Sequence, residues 1–181
     1  MEVKETNIKD LLVIQPRVFG DHRGYFFESF RKDAMLKHGI NHDFVQDNLS
    51  LSKKNILRGI HFQKPPFEQG KLVQVIKGAV LDVAVDLRKG SATYGKHFKI
   101  ELNEQNKTMF WVPPGFGHGF LTLEDDTVFA YKCTNYYHAE SEGGILWNSP
   151  SLNIDWGIEN PILSEKDELA TSFNNFETPF K

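Results

Sequence analysis

Two β-branched runs split by a two-residue turn constrain this chain more than any other stretch. Lys71-Leu72-Val73-Gln74-Val75-Ile76 leads through Lys77-Gly78 into Ala79-Val80-Leu81-Asp82-Val83-Ala84-Val85-Asp86-Leu87. Apolar runs joined by two residues ending in glycine predict a tight antiparallel hairpin. Side chains alternate along a strand, so Leu81, Val83, Val85 and Leu87 share one face while Asp82, Ala84 and Asp86 share the other. Shorter strands are expected at 11–18, 24–30, 45–51, 56–63, 98–102, 108–112, 119–123 and 127–134, with Gly, Pro, Asn and Asp between them. Many short strands at this spacing predict a mainly β protein, a sandwich or jelly-roll barrel.

Helical signals are few. Residues 31–38 read as a short helix with Gly39 at its C-terminal stop, and Ser164 stands as the N-cap of another. No repeat, low-complexity tract or linker divides the 181 residues, so one domain, 1–181, is expected. Fifteen Phe suit a β-rich core. A net charge of only -3 gives no global field for nucleic acid or a membrane surface, so an anionic ligand must be held by a local cluster of cations. No apolar run approaches the ~20 residues of a membrane span. The first residues lack the apolar stretch of a signal peptide, and the single Cys133 fits a reducing cytoplasm.

Four segments carry side chains suited to chemistry. Asp21-His22-Arg23-Gly24-Tyr25-Phe26-Phe27-Glu28 places Arg23 at a turn, with Phe26 and Glu28 on one strand face. Gln46, Asn48 and Ser50 alternate onto one face, a polar row suited to hydrogen bonding a sugar or base as well as to water. Leu57-Arg58-Gly59-Ile60-His61-Phe62-Gln63 sets an imidazole, able to take and return a proton, between Arg58 and the nearby Lys71. Arg58 and His61 have opposite strand parity, so a shared pocket requires a bulge or bend at Gly59. Trp111-Val112-Pro113-Pro114-Gly115-Phe116-Gly117-His118-Gly119-Phe120 delivers His118 between glycines, and Phe129-Ala130-Tyr131-Lys132-Cys133-Thr134-Asn135-Tyr136-Tyr137 offers Tyr131 and Tyr137.

In this order, and with Lys71 to Val75, Asp82 to Arg88 and Leu163-Ser164-Glu165-Lys166-Asp167, these segments closely resemble the dTDP-4-dehydrorhamnose 3,5-epimerase family. The resemblance runs from about Ile14 to Asp167. Departures such as Ser91-Ala92-Thr93 for Ser-Pro-Thr, Asn148-Ser149-Pro150 for Asn-Asp-Pro and Trp156-Gly157 for Trp-Pro bear only on loops. It implies a cupin-like jelly roll that inverts C3 and C5 of a dTDP-4-keto-6-deoxyhexose on the way to dTDP-L-rhamnose. It further implies His61 as base, Tyr131 as opposite-face acid, Lys71 as enolate stabiliser and Asp167 as the carboxylate that orients His61. A helix cap is the competing role for Asp167. Arg23, Arg58 and His118 would hold the diphosphate, and Phe26, Glu28, Gln46, Asn48 and Tyr137 would shape the nucleotide and sugar sites. A homodimer with exchanged N-terminal strands is the implied assembly.

No cofactor is expected, since the substrate ketone is its own electron sink. No metal is expected either: Gln63 stands where metal-binding cupins resemble one another in a second histidine. The rivals are an epimerase acting at C3 alone, a ketoisomerase, a nucleotide-sugar-binding barrel without activity, and a metal-dependent cupin oxygenase, which Gln63 argues against.

Overall fold

A computed structural model describes residues 1–181. Its strands are β1 (Glu2–Glu5), β2 (Leu12–Gln15), β3 (Phe19–Asp21), β4 (Gly24–Phe26), β5 (Gln46–Ser52), β6 (Leu57–Gln63), β7 (Lys71–Lys77), β8 (Ala79–Asp86), β9 (His97–Asn103), β10 (Met109–Val112), β11 (Phe116–Thr122), β12 (Thr127–Cys133) and β13 (Glu142–Gly144). The two α-helices, α1 (Lys32–Lys37) and α2 (Glu165–Glu168), are short.

The strands form a six-stranded sheet ordered β1-β2-β10-β7-β12-β5 and a five-stranded sheet ordered β13-β6-β11-β8-β9, both antiparallel, while β3 and β4 form a separate hairpin. This is the expected two-sheet jelly roll. The tight hairpin expected at 71–87 is not formed: the chain turns at Gly78, whose φ of +78° suits glycine, but β7 pairs with β10 and β12 while β8 pairs with β11 and β9, so the turn is an arch that carries the chain from one sheet to the other.

Why β8 is apolar on both faces follows from its position. Val80 and Ala84 pack with Phe110, Phe116, Phe120 and Phe129 between the sheets. Val83, Val85 and Leu87 face the other way, onto Leu57, Ile60, Trp147, Trp156 and Phe180. The C-terminal stretch thus serves as a third layer. Thr178 Oγ1 donates to the Leu87 carbonyl and Phe180 is buried, so the tail is docked to its end.

Helix α1 covers part of the outer face of the six-stranded sheet, where Met35 and Ile40 meet Ile14, Leu72, Met109 and Trp111. Gly39 follows the helix with φ +81°, as a C-terminal stop requires. The rest of that face is bare: Leu49, Leu51 and Ile76 are exposed.

Several expected boundaries shift. The strand read at 11–18 ends at Gln15, and the chain pairs again only from Phe19 to Phe26. The strand read at 24–30 stops at Phe26, so Glu28 shares no strand face with it. The strand read from 119 begins at Phe116, because the Pro113-Pro114 turn has already reversed the chain.

Candidate active site

A cavity of about 240 Å³ lies between the sheets at the barrel's open end. The six-stranded sheet contributes Ser50 from β5, Lys71 from β7 and Tyr131 from β12. The five-stranded sheet contributes Arg58 and His61 from β6 and His118 and Phe120 from β11. Ser164, Lys166 and Asp167 close it from α2 and its cap.

Gly59 makes the co-presentation of Arg58 and His61 possible. It has φ +124°, and the β6–β11 pairing slips between His118 and Phe120. A Cβ at Gly59 would come within 2.5 Å of the Gly119 Cα, so two glycines let the strands touch where the register changes.

His61 Nε2 lies 2.5 Å from Asp167 Oδ1. The other carboxylate oxygen accepts from Ser164 Oγ at 2.7 Å, while Ser164 Oγ accepts from the Asp167 N–H at 3.3 Å. The two roles weighed for Asp167 are therefore filled at once: the cap holds the carboxylate that holds the imidazole. Burial opposes the Asp167 charge, yet the bonds from His61, Ser164 and the Gly59 backbone outweigh it and hold its pKa below the usual carboxylate range.

A second imidazole–carboxylate pair lies beside the first. His118 is the cross-strand partner of His61, and its Nε2 meets both oxygens of Asp82 at 2.9 and 3.0 Å. Both residues are buried. One ring nitrogen of His118 is thus committed to Asp82, and the ring forms part of the cavity floor.

Lys71 has no ion-pair partner. Desolvation lowers its pKa, against the pull of Cys133, Asp82 and Glu142. Its Nζ lies 5.9 Å from the centre of the Tyr131 ring. Burial, with Cys133 nearby, raises the Tyr131 pKa against Arg58 and Asn48, so the phenol keeps its proton at neutral pH. Ser50 Oγ is buried without a partner.

At the mouth, Gln46 Nε2 donates to Asn48 Oδ1, and Asn48 Nδ2 donates to Cys133 Sγ at 3.5 Å. Gln46 Oε1 accepts from the Tyr137 N–H at 2.9 Å, and Tyr137 Oη donates to Glu142 Oε2 at 3.1 Å. Gln63 is turned away from His61; its amide holds the Phe67 and Tyr136 carbonyls. No three His, Cys, Asp or Glu side chains converge on one point.

His61, Lys71, Tyr131, Asp167, Arg58 and His118 therefore meet in one cavity, with Gln46, Asn48 and Tyr137 near its mouth. Arg23, Phe26 and Glu28 do not join them. Arg23 pairs with Asp21 at 2.5 Å, Glu28 lies 3.6 Å from Arg31, and Phe26 is 67% exposed on the β3–β4 hairpin. Sequence reasoning missed Asp82, Ser164, Glu142 and Lys166 as members of the site. Asp82 had a legible signal, an acid on an otherwise buried strand; Glu142 and Lys166 had none beyond ordinary surface charge.

The chain is similar over almost its whole length to known proteins. The family described as dTDP-4-dehydrorhamnose 3,5-epimerase matches residues 5–175. A protein of that description from Shigella flexneri is 49% identical over 174 residues, 96% of each chain. The crystal structure of a dTDP-4-dehydrorhamnose 3,5-epimerase from Elizabethkingia anophelis NUHP1 superposes with a TM-score of 0.92 at 47% identity, covering 97% of each chain. A dTDP-6-deoxy-D-glucose-3,5-epimerase from Legionella pneumophila Philadelphia 1, solved with dTDP-4-keto-L-rhamnose, gives a TM-score of 0.93 at 46% identity over 97% of this chain and 94% of that one.

Proposed function

The chain belongs to the dTDP-4-dehydrorhamnose 3,5-epimerase family, and from that premise we propose that it inverts C3 and C5 of dTDP-4-keto-6-deoxy-D-glucose to give dTDP-4-keto-L-rhamnose, for dTDP-L-rhamnose biosynthesis. The observation that carries this reading is that His61 and Tyr131 enter one cavity from opposing sheets.

A C4 ketone acidifies the hydrogens on C3 and C5, because loss of either leaves an enolate. Inversion then requires a proton to leave one face and another to arrive on the opposite face. His61 takes the first, and the Asp167 carboxylate fixes the imidazole and stabilises the imidazolium that forms. Lys71 serves the C4 oxygen. Desolvation disfavours its charge in the cavity, and an enolate beside it favours that charge, so its help is greater for the intermediate than for the ketone. Tyr131 returns a proton to the other face.

At about 240 Å³ the cavity is smaller than the roughly 300–1,000 Å³ that enclose a drug-sized ligand. It suits the sugar ring, with the diphosphate toward Arg58 and the nucleoside outside, along Gln46, Asn48 and Tyr137. Arg23, Phe26 and Glu28 complete the nucleotide site of a second copy in a homodimer with exchanged N-terminal strands. Two features support this: the hairpin projects from its own chain, and Leu49, Leu51 and Ile76 leave an apolar face bare beside edge strand β5. Cys133, buried and unpaired, accords with work in the cytoplasm.

The test is proton NMR of dTDP-4-keto-6-deoxyglucose with the protein in deuterated water. Deuterium at both C3 and C5 with a rhamno-configured product is expected. Label at C3 alone would mean single epimerisation, a moved carbonyl a ketoisomerase, and no exchange a binding protein.

A further inference from the structure

Gln63 has no part in the steps above, yet it is buried and its amide is fully engaged. Its Nε2 donates to the Phe67 carbonyl at 2.6 Å and to the Tyr136 carbonyl at 3.1 Å, and its Oε1 accepts from the His138 N–H at 2.8 Å. Only this orientation serves. Turned over, the amide would set its oxygen against two carbonyls and its NH2 against an N–H.

The partners belong to two loops. Residues 64–70 join β6 to β7 and so lead from His61 into Lys71, while residues 134–138 follow β12, which carries Tyr131. The loops lie side by side: the Phe67 and His138 rings stack at 3.8 Å, and Gln69 Nε2 donates to the Asn135 carbonyl at 2.7 Å. Gln63 bonds both loops from the last position of β6. From the other sheet, Gln46 of β5 accepts from the Tyr137 N–H. Three consecutive residues, 136 to 138, are thus pinned through their backbone by two glutamines, one from each sheet. The Tyr137 side chain stays exposed between them. A ring on a surface loop is ordinarily mobile; here its backbone is held from both sides of the mouth.

We propose that Gln63 is a positioning residue for nucleotide binding, whose amide locks the 64–70 and 134–138 loops together and presents Tyr137 as a preformed wall. It is not a catalytic residue, because its amide meets backbone alone. The inference rests on the epimerase reading for the identity of the ligand. A preformed wall lowers the ordering cost of binding and takes no part in proton transfer. Its loss therefore falls on affinity, the pattern of an interaction made equally in the ground and transition states.

Gln63→Met keeps the length of the side chain and leaves three backbone groups unpaired. It should weaken dTDP binding, measured by titration calorimetry, by about tenfold to a hundredfold. KM should rise in step, with kcat at saturation near the parent value. Backbone amide hydrogen exchange in the intact protein should quicken in both loops together and not in the sheets. Gln69→Met cuts an outer rung, should show the same split in smaller measure, and carries the test if Gln63→Met does not fold. Unchanged dTDP affinity overturns the proposal. So does a fall in kcat that matches or exceeds the loss of affinity, or exchange that quickens throughout the sheets, either of which would make Gln63 a general support of the fold. If the parent neither binds dTDP nor exchanges deuterium into the sugar, the epimerase reading falls. The loop amides then still decide the lock, since faster exchange in one loop alone, or in neither, overturns it.

Discussion

His118–Asp82 and His61–Asp167 are the same chemical pair built in two ways. The first joins neighbouring strands of one sheet, with both partners buried. The second joins a strand to a one-turn helix 106 residues along the chain, with the imidazole 26% exposed. A pair locked into a sheet cannot adjust, and it fixes the cavity floor. A pair that depends on a short capped helix can be reached by ligand and tuned by its surroundings. On the proposed mechanism the mobile proton belongs to the adjustable pair and the fixed polarity to the rigid one.

The largest expected effect tests the adjustable pair. His61→Ala should cost about two to four orders of magnitude in turnover while dTDP binding survives, measured by titration calorimetry. Loss of binding in parallel would make His61 structural. The rigid pair should respond in the opposite currency. Asp82→Ala leaves a buried His118 without its partner, and removal of one member of a buried pair costs about 3–5 kcal/mol; chemical denaturation should show it. Were Asp82→Ala as stable as the parent, the contrast between the pairs would collapse. Asp167→Asn is milder, a loss of about tenfold to a hundredfold for an orienting partner, visible in kcat with the midpoint of unfolding little changed.

Lys71 sharpens the comparison from outside both pairs. As a desolvated cation without an ion-pair partner, it opposes folding. Lys71→Met should lower turnover by less than His61→Ala does and raise the melting temperature by a few degrees, about 4 °C or less for a protein of this size; a lower melting temperature would show the charge to be stabilising. The smallest effect concerns acid. The Asp167 pKa is lowered in the folded chain, so its stabilising contribution is complete above the unfolded carboxylate pKa of about 3.9 and disappears as pH falls through the folded value. Asp167→Asn should therefore flatten the acid limb of the stability curve slightly, by lowering it a little near neutrality and leaving it unaltered in strong acid.

Much of this was legible in the chain. The two runs β7 and β8 and the Lys-Gly turn between them were readable from period-two alternation, but their pairing was not: each joins a different sheet, so the expected hairpin is an arch between the layers. The bend at Gly59 followed from the opposite parity of Arg58 and His61. The polar row Gln46, Asn48, Ser50 marked a strand whose inner face is not core, and the structure adds its complement: Leu49 and Leu51 point outward, so β5 is polar inside and apolar outside. What could not be read was long-range. Nothing near Glu142 in sequence announces Lys166, and Asp82 finds His118 only through strand order. Glu28 was misplaced because a strand-like run of aromatics continues past Phe26 after the pairing has ended.

The 106-residue separation of His61 from Asp167 also orders events in time. Local hairpins such as β8–β9 need only a short loop to close, whereas the His61–Asp167 pair must await the far end of the chain. Catalytic competence is then the last property acquired on refolding. After dilution from denaturant, the sheet signal returns first and turnover follows with a lag.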